Sequence, residues 1–321
     1  MTTRLLALFL FATSAYAEAP DRSAALKRME EVMGPLPTPA RKAPLDVQIT
    51  SEEKLDGYVR KKLTYVAEEG DRVPAYLLIP TEFKDKRPAA LCLHQTTAIG
   101  KGQPVGLDKD ANKHYAWELV KRGYVCLVPD YPSFGDYKYD FKKSAHPSGT
   151  MKAIWNNVRG VDLLQSLPEV DGDRIAAIGH SLGGHNALFT AAFDERIKAV
   201  VTCCGFCSFA KYYGGNLKGW TSDRYMPRIA SEYGNDPKRV PFEFADVLTV
   251  IAPRAILTVS PTKDDNFAVE GVKDVIRAVK PIYEKLGAAD ELQARYPDAG
   301  HDFLPEERKA AYEFLDRRLK P

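Results

Sequence analysis

The stretch Gly179-His180-Ser181-Leu182-Gly183-Gly184 follows a short apolar run and precedes a run with helical character. A strand, a tight glycine-rich turn and a helix, with a serine at the apex, form the context of a nucleophile elbow. Such a serine is held on a sharp, strained turn that lifts its hydroxyl above the sheet. We expect Gly179 and Gly183 at points where a Cβ would clash, because the strand and the helix approach closely there. The stretch therefore predicts an α/β fold built around Ser181.

The composition is that of a globular protein with a substantial core. The chain has 321 residues, of which 45% are apolar, enough for one large α/β domain or two small ones. The formal net charge is +2, and the lysines and arginines are spread along the chain. A nucleic-acid partner is therefore not expected, since no basic patch or stripe marks a binding face.

Residues 1–17 have the features of a signal peptide. Arg4 supplies a short positive region, and residues 5–12 are apolar but too few to span a bilayer. Ala15-Tyr16-Ala17 fits a small-x-small cleavage site. The pattern predicts a secreted or periplasmic protein without a membrane span. The alternative is a buried N-terminal helix.

The five cysteines do not form a regular disulfide pattern. Cys92 and Cys126 lie in apolar strand-like runs, where cysteine usually acts as a small hydrophobic residue. Cys203, Cys204 and Cys207 are close together, but their spacing is a weak metal signal with no second ligand pair. A disulfide from Cys207 to Cys203 or Cys204 is favoured over a metal or redox cluster. We expect no metal and no cofactor.

The order of elements indicates a mostly parallel sheet. Residues 18–57 contain a predicted helix, Arg22–Met33, and a Pro-rich linker, and the main α/β domain is expected over residues 58–321. Predicted strands cover 58–66, 73–79, 89–94, 124–129, 174–178, 197–203, 255–260 and 292–296, and predicted helices cover 110–122, 151–167, 186–193 and 305–319. The first two strands form a hairpin, and the later ones alternate with helices. We therefore predict an eight-stranded, mostly parallel sheet with helices on both faces.

The long segment 205–246 interrupts this alternation and is rich in aromatic residues. A segment of this length in a compact domain is usually functional. We interpret it as a cap over the active site, with additional scaffold packing as the alternative. Trp220, Tyr212 and Tyr213 are the candidate substrate-binding residues, because aromatic rings stack on flat or sugar-like groups.

Ser181 requires a base, and His301 is the candidate. A serine hydroxyl is a weak nucleophile until an adjacent histidine takes its proton and a carboxylate orients that histidine. In α/β folds the chain order is serine, acid, histidine. His301 is the one histidine far downstream of the elbow, between the last predicted strand and the last helix. Asp264 and Asp265 both follow the seventh predicted strand. Asp264 is favoured from its position in that turn.

Two N–H groups are expected to hold the oxyanion of the tetrahedral intermediate. One belongs to Leu182, at the positive end of the elbow helix. The other comes from the loop after the third predicted strand, and either Gln95 or Thr96 can supply it. The neighbouring His94 is expected to brace this loop.

These motifs make the chain similar to the α/β-hydrolase superfamily. It looks most like the dienelactone hydrolase and acetyl-xylan-esterase-like branch. The resemblance rests on Leu93-His94-Gln95-Thr96, Arg122-Gly123-Tyr124-Val125, the elbow, Ala252-Pro253-Arg254 and Gly300-His301-Asp302-Phe303. It implies carboxylic ester hydrolysis without a metal. Ser181 stands where dienelactone hydrolases use cysteine, and the Gln95-Thr96 loop lacks the Gly-Gly run of lipases.

The leading hypothesis is a secreted serine esterase that acts on a small-molecule or carbohydrate ester and deacetylates decorated polysaccharide. The first alternative is a serine peptidase of the prolyl-oligopeptidase type. Such peptidases usually carry an N-terminal propeller, which residues 18–57 are too few to form. The second alternative is a non-catalytic binding protein on the same scaffold, but such proteins usually lose a member of the triad.

Overall fold

Nine strands form one sheet in the part of the chain that the computed structural model describes, residues 21–82 and 84–320. They are β1 (Gln48–Leu55), β2 (Tyr58–Glu68), β3 (Asp71–Pro80), β4 (Arg87–Leu93), β5 (Val125–Pro129), β6 (Val170–His180), β7 (Ile197–Cys203), β8 (Ala255–Val259) and β9 (Leu292–Arg295). Their order across the sheet is β1-β2-β3-β5-β4-β6-β7-β8-β9. The pairs β1–β2, β2–β3 and β3–β5 are antiparallel. The other neighbouring pairs in the sheet are parallel. The predicted α/β-hydrolase fold is confirmed.

Helices cover both faces of the sheet. They are α1 (Arg22–Met33), α2 (Tyr115–Lys121), α3 (Gly149–Ser166), α4 (Leu182–Phe193), α5 (Arg228–Ser231), α6 (Phe244–Ile251), α7 (Val269–Lys285) and α8 (Pro305–Leu319). Apolar residues of α1, α3, α4, α6 and α7 pack on one face, and those of α2 and α8 pack on the other. Both faces of the central strands are therefore buried, which explains their continuous apolar sequences.

The central strand β4 shows how this arrangement is stabilised. Leu91 and Leu93 face the layer that contains α3 and α4, whereas Ala90 and Cys92 face the layer of α2 and α8. Burial of each leucine side chain contributes about 1.5–3 kcal/mol. Since β4 leads directly into the loop of His94, this packing also positions one wall of the candidate site.

The predicted count of eight strands is wrong by one, because β1 was assigned to the linker. Seven of the eight residues of β1 are exposed, and the strand adds to the edge of the sheet by pairing with β2. Such a strand buries no apolar face, so it lacks the alternation by which strands are recognised. The helices α6 and α7 also lie outside the predicted elements, whereas α1, α3 and α8 lie within one or two residues of the predicted ranges.

The predictions about the signal peptide, a membrane span and the cysteines can now be compared with the structure. The predicted signal peptide lies outside the described residues. Among residues 21–82 and 84–320, no helix combines the length and apolar character needed to cross a bilayer. All five cysteines are free and buried, so the favoured disulfide to Cys207 is not formed. The Sγ atoms of Cys203 and Cys204 lie 3.7 Å apart.

Candidate active site

The elbow places Ser181 on a strained turn between β6 and α4. Ser181 has φ 54° and ψ −118°, a conformation that costs a residue with a side chain about 1–3 kcal/mol. Its N–H donates to the carbonyl oxygen of Cys203 at 2.8 Å, which ties the turn to β7. The strain is therefore balanced by a hydrogen bond to the neighbouring strand, and the side chain is lifted to the carboxyl end of the sheet.

The two glycines of the elbow are required by close backbone contacts. A Cβ on Gly179 would lie 2.2 Å from the carbonyl oxygen of Gly183. A Cβ on Gly183 would lie 1.8 Å from the carbonyl oxygen of Leu93. Both distances are far below van der Waals contact, and neither neighbour is a side chain that could turn aside. The predicted steric reason for these glycines is confirmed.

The structure brings His301 and Asp264 together. His301 Nδ1 lies 2.9 Å from Asp264 Oδ1 and 3.0 Å from Oδ2. Only 1% of the Asp264 side chain is exposed, whereas Asp265 is exposed to solvent. Of the two predicted acids, Asp264 is therefore the one that contacts the histidine.

Asp264 is held as a carboxylate in this environment. Burial opposes its ionisation, but the hydrogen bond and charge of His301 outweigh burial, so the pKa of Asp264 is lowered. The N–H groups of Asn266 and Phe267 also donate to Oδ1, at 2.8 and 3.1 Å. Because a carboxylate can only accept, His301 Nδ1 carries the proton and Nε2 keeps a free lone pair.

A buried second histidine packs against this pair. The rings of His180 and His301 have centroids 4.8 Å apart in an edge-to-face arrangement. His180 Nδ1 lies 2.9 Å from the side-chain oxygen of Gln95. Burial lowers the pKa of His180 well below its usual value, and the positive charge of Lys113 acts in the same direction. His180 is therefore a neutral support beneath the elbow.

Ser181 opens into a small cavity of about 150 Å³. The cavity is lined by Thr96, Ser181, Leu182, His185, Tyr212, Gly219, Trp220, Tyr225, Asn266 and Phe267. The ring of Phe267, one of these lining residues, has its centroid 6.0 Å from that of the His301 ring. Within the described residues the Ser181 hydroxyl makes no hydrogen bond. Catalytic hydrogen bonds are often formed only when substrate binds.

A larger groove of about 680 Å³ lies elsewhere, between residues 40–43, 68–71 and 139–145. It contains neither Ser181 nor His301. The chemistry of the side chains, and not the volume, therefore selects the smaller cavity as the candidate active site.

The loop after β4 is braced as predicted. His94 Nδ1 lies 2.6 Å from the Gln95 carbonyl oxygen, and the Tyr131 N–H donates to His94 Nε2 at 2.9 Å. Gln95 is not one of the residues that line the cavity, and its side-chain nitrogen donates to the Gln103 side-chain oxygen at 2.9 Å. Thr96 is the member of the predicted pair that lines the cavity, together with Leu182 at the start of α4.

The three aromatic residues predicted to bind substrate divide into two groups. Tyr212 and Trp220 line the cavity. Tyr213 is 55% exposed and lies outside it, and its hydroxyl donates to the side chain of Asn266. The cavity is also lined by His185, which was not among the candidate site residues. Its position four residues after Ser181 was the available signal, because residues i and i+4 share one face of a helix.

The segment 205–246 has one side in the core and one side at the cavity. Phe206, Phe209 and Phe244 are fully buried in the larger hydrophobic cluster. Trp220 and Tyr225 line the cavity next to Ser181. Scaffold packing and a cavity wall are thus combined in one insert.

Two clusters bring potential metal ligands together. The groups are His180, Cys203 and Cys204, and Cys204, Asp264 and His301, with ligand atoms within 4.8 Å of one another. Burial raises the pKa of Cys204 well above its usual value, and the neighbouring Cys203 adds to this shift. A metal would have to displace this firmly held proton, because the thiolate is the ligand form.

A family model described as the prolyl oligopeptidase family matches residues 112–321. The chain is 27% identical over 309 residues to the putative hydrolase YtaP of Bacillus subtilis, which covers 91% of this chain and 98% of that protein. It is 21% identical over 292 residues to carbohydrate esterase MZ0003 from an unknown prokaryotic organism, which covers 78% of this chain and 66% of that protein.

Among solved structures, a glucuronoyl esterase from Solibacter usitatus superposes with a TM-score of 0.73. The alignment covers 92% of each chain at 17% sequence identity. At this identity the likeness establishes the shared fold.

Proposed function

The chain belongs to the prolyl oligopeptidase family, and from this premise we propose that it is a serine hydrolase that cleaves carboxylic esters of carbohydrates through an acyl-enzyme. The observation that carries the proposal is the hydrogen-bonded pair of His301 and Asp264, with the His301 ring beside Phe267, which lines the cavity of the elbow serine.

In the first step, Ser181 attacks the ester carbonyl while His301 Nε2 accepts its proton. Asp264 stays ionised, holds the tautomer and stabilises the imidazolium that forms. The N–H groups of Leu182 and Thr96 are proposed to hold the oxyanion, where charge develops in a partly desolvated cavity. His301 then returns its proton to the departing alcohol.

In the second step, water releases the acyl group by the reverse sequence. His301 takes a proton from the water, the hydroxide attacks the acyl carbon, and Ser181 leaves as the protonated serine. Since the same histidine acts in both steps, the reaction requires no further titratable group.

Two observations support an ester of a carbohydrate. The comparison with carbohydrate esterase MZ0003, which covers 78% of this chain at 21% identity, provides the first. The cavity wall provides the second, since it combines the rings of Tyr212, Trp220 and Phe267 with neutral polar groups. Aromatic faces and neutral hydrogen-bonding groups together suit a sugar ring.

The second candidate is a serine peptidase, which the family match favours. An exopeptidase has to hold the charged end of its substrate, which requires an opposite charge. Among the described residues that line the cavity, none is acidic or carries a permanent positive charge. An ester is therefore a better fit than the substrate of an exopeptidase, and turnover of small peptides without turnover of esters would establish a peptidase instead.

Replacement of the nucleophile tests the proposal directly. Ser181→Ala is expected to lower kcat/KM for p-nitrophenyl acetate by about 10⁴-fold or more, because triad members act as one unit. Ser231→Ala, on the exposed face of α5, is the matched control. Near wild-type turnover by the Ser181 variant, or failure of the wild-type protein to react with a fluorophosphonate, would refute a serine esterase.

We further propose export of the protein, with removal of residues 1–17, and a cap role for residues 205–246. The small-x-small site at Ala15-Tyr16-Ala17 supports the first proposal. Mass spectrometry of the protein recovered outside the cytoplasm should give an N-terminus near Glu18. An intact N-terminus in the cytoplasmic fraction would contradict export.

A further inference from the structure

Two buried polar side chains in the cavity wall have ring nitrogens with no hydrogen-bond partner among the described residues. His185 is 5% exposed and Trp220 is 3% exposed, and both line the cavity of Ser181. Neither ring nitrogen of His185, nor Nε1 of Trp220, has a partner among the residues that the structure describes. A buried polar group without a partner costs about 1–3 kcal/mol, so such groups usually indicate a function.

The two side chains lie side by side. Their ring centroids are 4.8 Å apart in an edge-to-face arrangement. The Trp220 ring is held by Phe209, Tyr212 and Phe244, with centroids 5.5–6.1 Å away.

From this arrangement we propose that His185 and Trp220 bind two neighbouring hydroxyl groups of a sugar ring and thereby determine substrate specificity. The inference rests on the proposed ester hydrolysis at Ser181, and it names the part of the substrate that the cavity wall recognises.

Hydroxyl groups match the donors and acceptors of the two side chains. Trp220 Nε1–H can only donate, so it requires an acceptor. Burial lowers the pKa of His185 to about 3, and the nearby Gly205 backbone offsets only part of that shift. The neutral imidazole offers one donor and one acceptor. A hydroxyl group can accept from Trp220 or His185 and donate to His185, whereas a carboxylate could only accept.

Neighbouring cavity groups also favour uncharged hydroxyls. The side chains of Asn266, Thr96 and Tyr225 are polar and neutral, and the hydroxyls of Thr96 and Tyr225 are 3.4 Å apart. The wall can therefore hydrogen-bond to an uncharged polyol through neutral groups alone. A purely alkyl ligand would offer no hydrogen bond to His185 or Trp220.

The experiment compares esters that differ only in the hydroxyl groups. One pair places the ring on the alcohol side, with a monoacetate of methyl β-xylopyranoside and cyclohexyl acetate. The other pair places it on the acyl side, with the methyl ester of glucuronic acid and methyl cyclohexanecarboxylate. The measured quantity in each pair is the ratio of kcat/KM for the sugar ester to kcat/KM for its hydroxyl-free counterpart.

His185→Phe and Trp220→Phe are expected to lower this ratio about tenfold or more, chiefly through KM, because each removes a hydrogen bond to the substrate. His185→Gln should restore part of the ratio, since an amide both donates and accepts. His114→Phe is the matched control, because His114 bonds to Asp108 outside the cavity. The pair whose ratio falls identifies whether the sugar lies on the alcohol or the acyl side.

The outcomes separate this inference from the proposed function. Ester turnover by the wild-type protein with ratios that neither phenylalanine variant changes overturns the hydroxyl subsite and leaves the esterase intact. Failure of the wild-type protein to hydrolyse any of the four esters overturns both. If a variant fails to fold by circular dichroism, calorimetric binding of methyl β-xylopyranoside to Ser181→Ala replaces it, and no detectable binding overturns the inference.

Discussion

The elbow, residues 179–184, and the insert, residues 205–246, meet at one cavity but are held in different ways. The elbow is held by backbone contacts, such as the Ser181 N–H on the Cys203 carbonyl oxygen at 2.8 Å. The insert is held by side chains from distant parts of the chain. The Tyr131 hydroxyl donates to the Arg224 carbonyl oxygen at 2.6 Å, and Arg224 Nε donates to the Ser133 hydroxyl at 2.9 Å.

This difference separates the two tasks of the site. A nucleophile must be placed within a fraction of an ångström, and backbone contacts that a Cβ would destroy provide such placement. A recognition surface must match the shape and hydrogen bonds of one ligand, and side chains on an insert can change without disturbing the sheet. Substitutions at the elbow should therefore lower activity toward all substrates. Substitutions in the insert should change the free energy of unfolding or the discrimination between substrates.

The largest effect is expected at the acid of the elbow's triad. Asp264→Asn should lower kcat by about 10³–10⁴-fold, because an amide no longer holds the reactive tautomer of His301. Asp265→Asn, at the exposed neighbour, is the matched control and should retain activity within about threefold. Steady-state kinetics with p-nitrophenyl acetate would measure both, and equal small losses would show that Asp264 has been assigned wrongly.

The next effect concerns the backbone contact of the elbow. Gly183→Ala places a Cβ 1.8 Å from the Leu93 carbonyl oxygen, which has to move. We expect a loss of about 3 kcal/mol in the free energy of unfolding, together with loss of activity toward every ester. In Gly172→Ala, also on β6, the new Cβ would meet only the flexible Gln165 side chain, at 3.3 Å. Urea unfolding of the two variants tests the contrast, and equal stabilities would contradict it.

A pH-dependent effect is expected at the insert. Burial raises the pKa of Glu243 from 4.5 to about 7, against the opposing N–H groups of Phe244 and Phe209. Between these pH values the folded protein binds the proton more tightly than the unfolded chain, so this residue's contribution to stability falls as pH rises. Glu243→Gln retains a carbonyl acceptor and removes the titration.

The glutamine variant should therefore gain about 1–3 kcal/mol over the wild type as the pH is raised from 4.5 to 7 and above. Urea unfolding at pH 5 and pH 8 measures this gain. A free-energy difference between the two proteins that stays constant over this range would rule out titration of Glu243.

The smallest effect is expected at Tyr213, the insert residue that lies outside the cavity. Its ring is exposed, and its hydroxyl contacts only Asn266 among the described hydrogen-bonding partners. Tyr213→Phe should change kcat/KM for a sugar ester by no more than about threefold. A tenfold rise in KM would instead support the sequence-based assignment of Tyr213 to substrate binding.

Much of the fold was predictable because its signals are short in sequence. The parallel strands are continuous apolar runs, and β7 was predicted with its observed bounds, Ile197–Cys203. By contrast, the exposed edge strand β1 has no apolar face, and it is held in the sheet by its backbone pairing with β2. Helix α7 was missed as well, and it contains Pro281, which usually interrupts a helical pattern.

The sequence by itself determined the elbow, because the clash that excludes a Cβ at Gly179 is with Gly183, four residues away, and an apolar run precedes the turn. The clash at Gly183 is with Leu93 of β4, so it depends on the folded sheet. The sequence also determined His301 as the candidate base, from chain order. Tertiary structure alone decided that Asp264 faces His301, that Thr96 enters the cavity, and that His185 and Trp220 lie together without partners. Each of these depends on contacts between residues far apart in the chain, which form only when the loops at the ends of the strands and the insert come together in the folded protein.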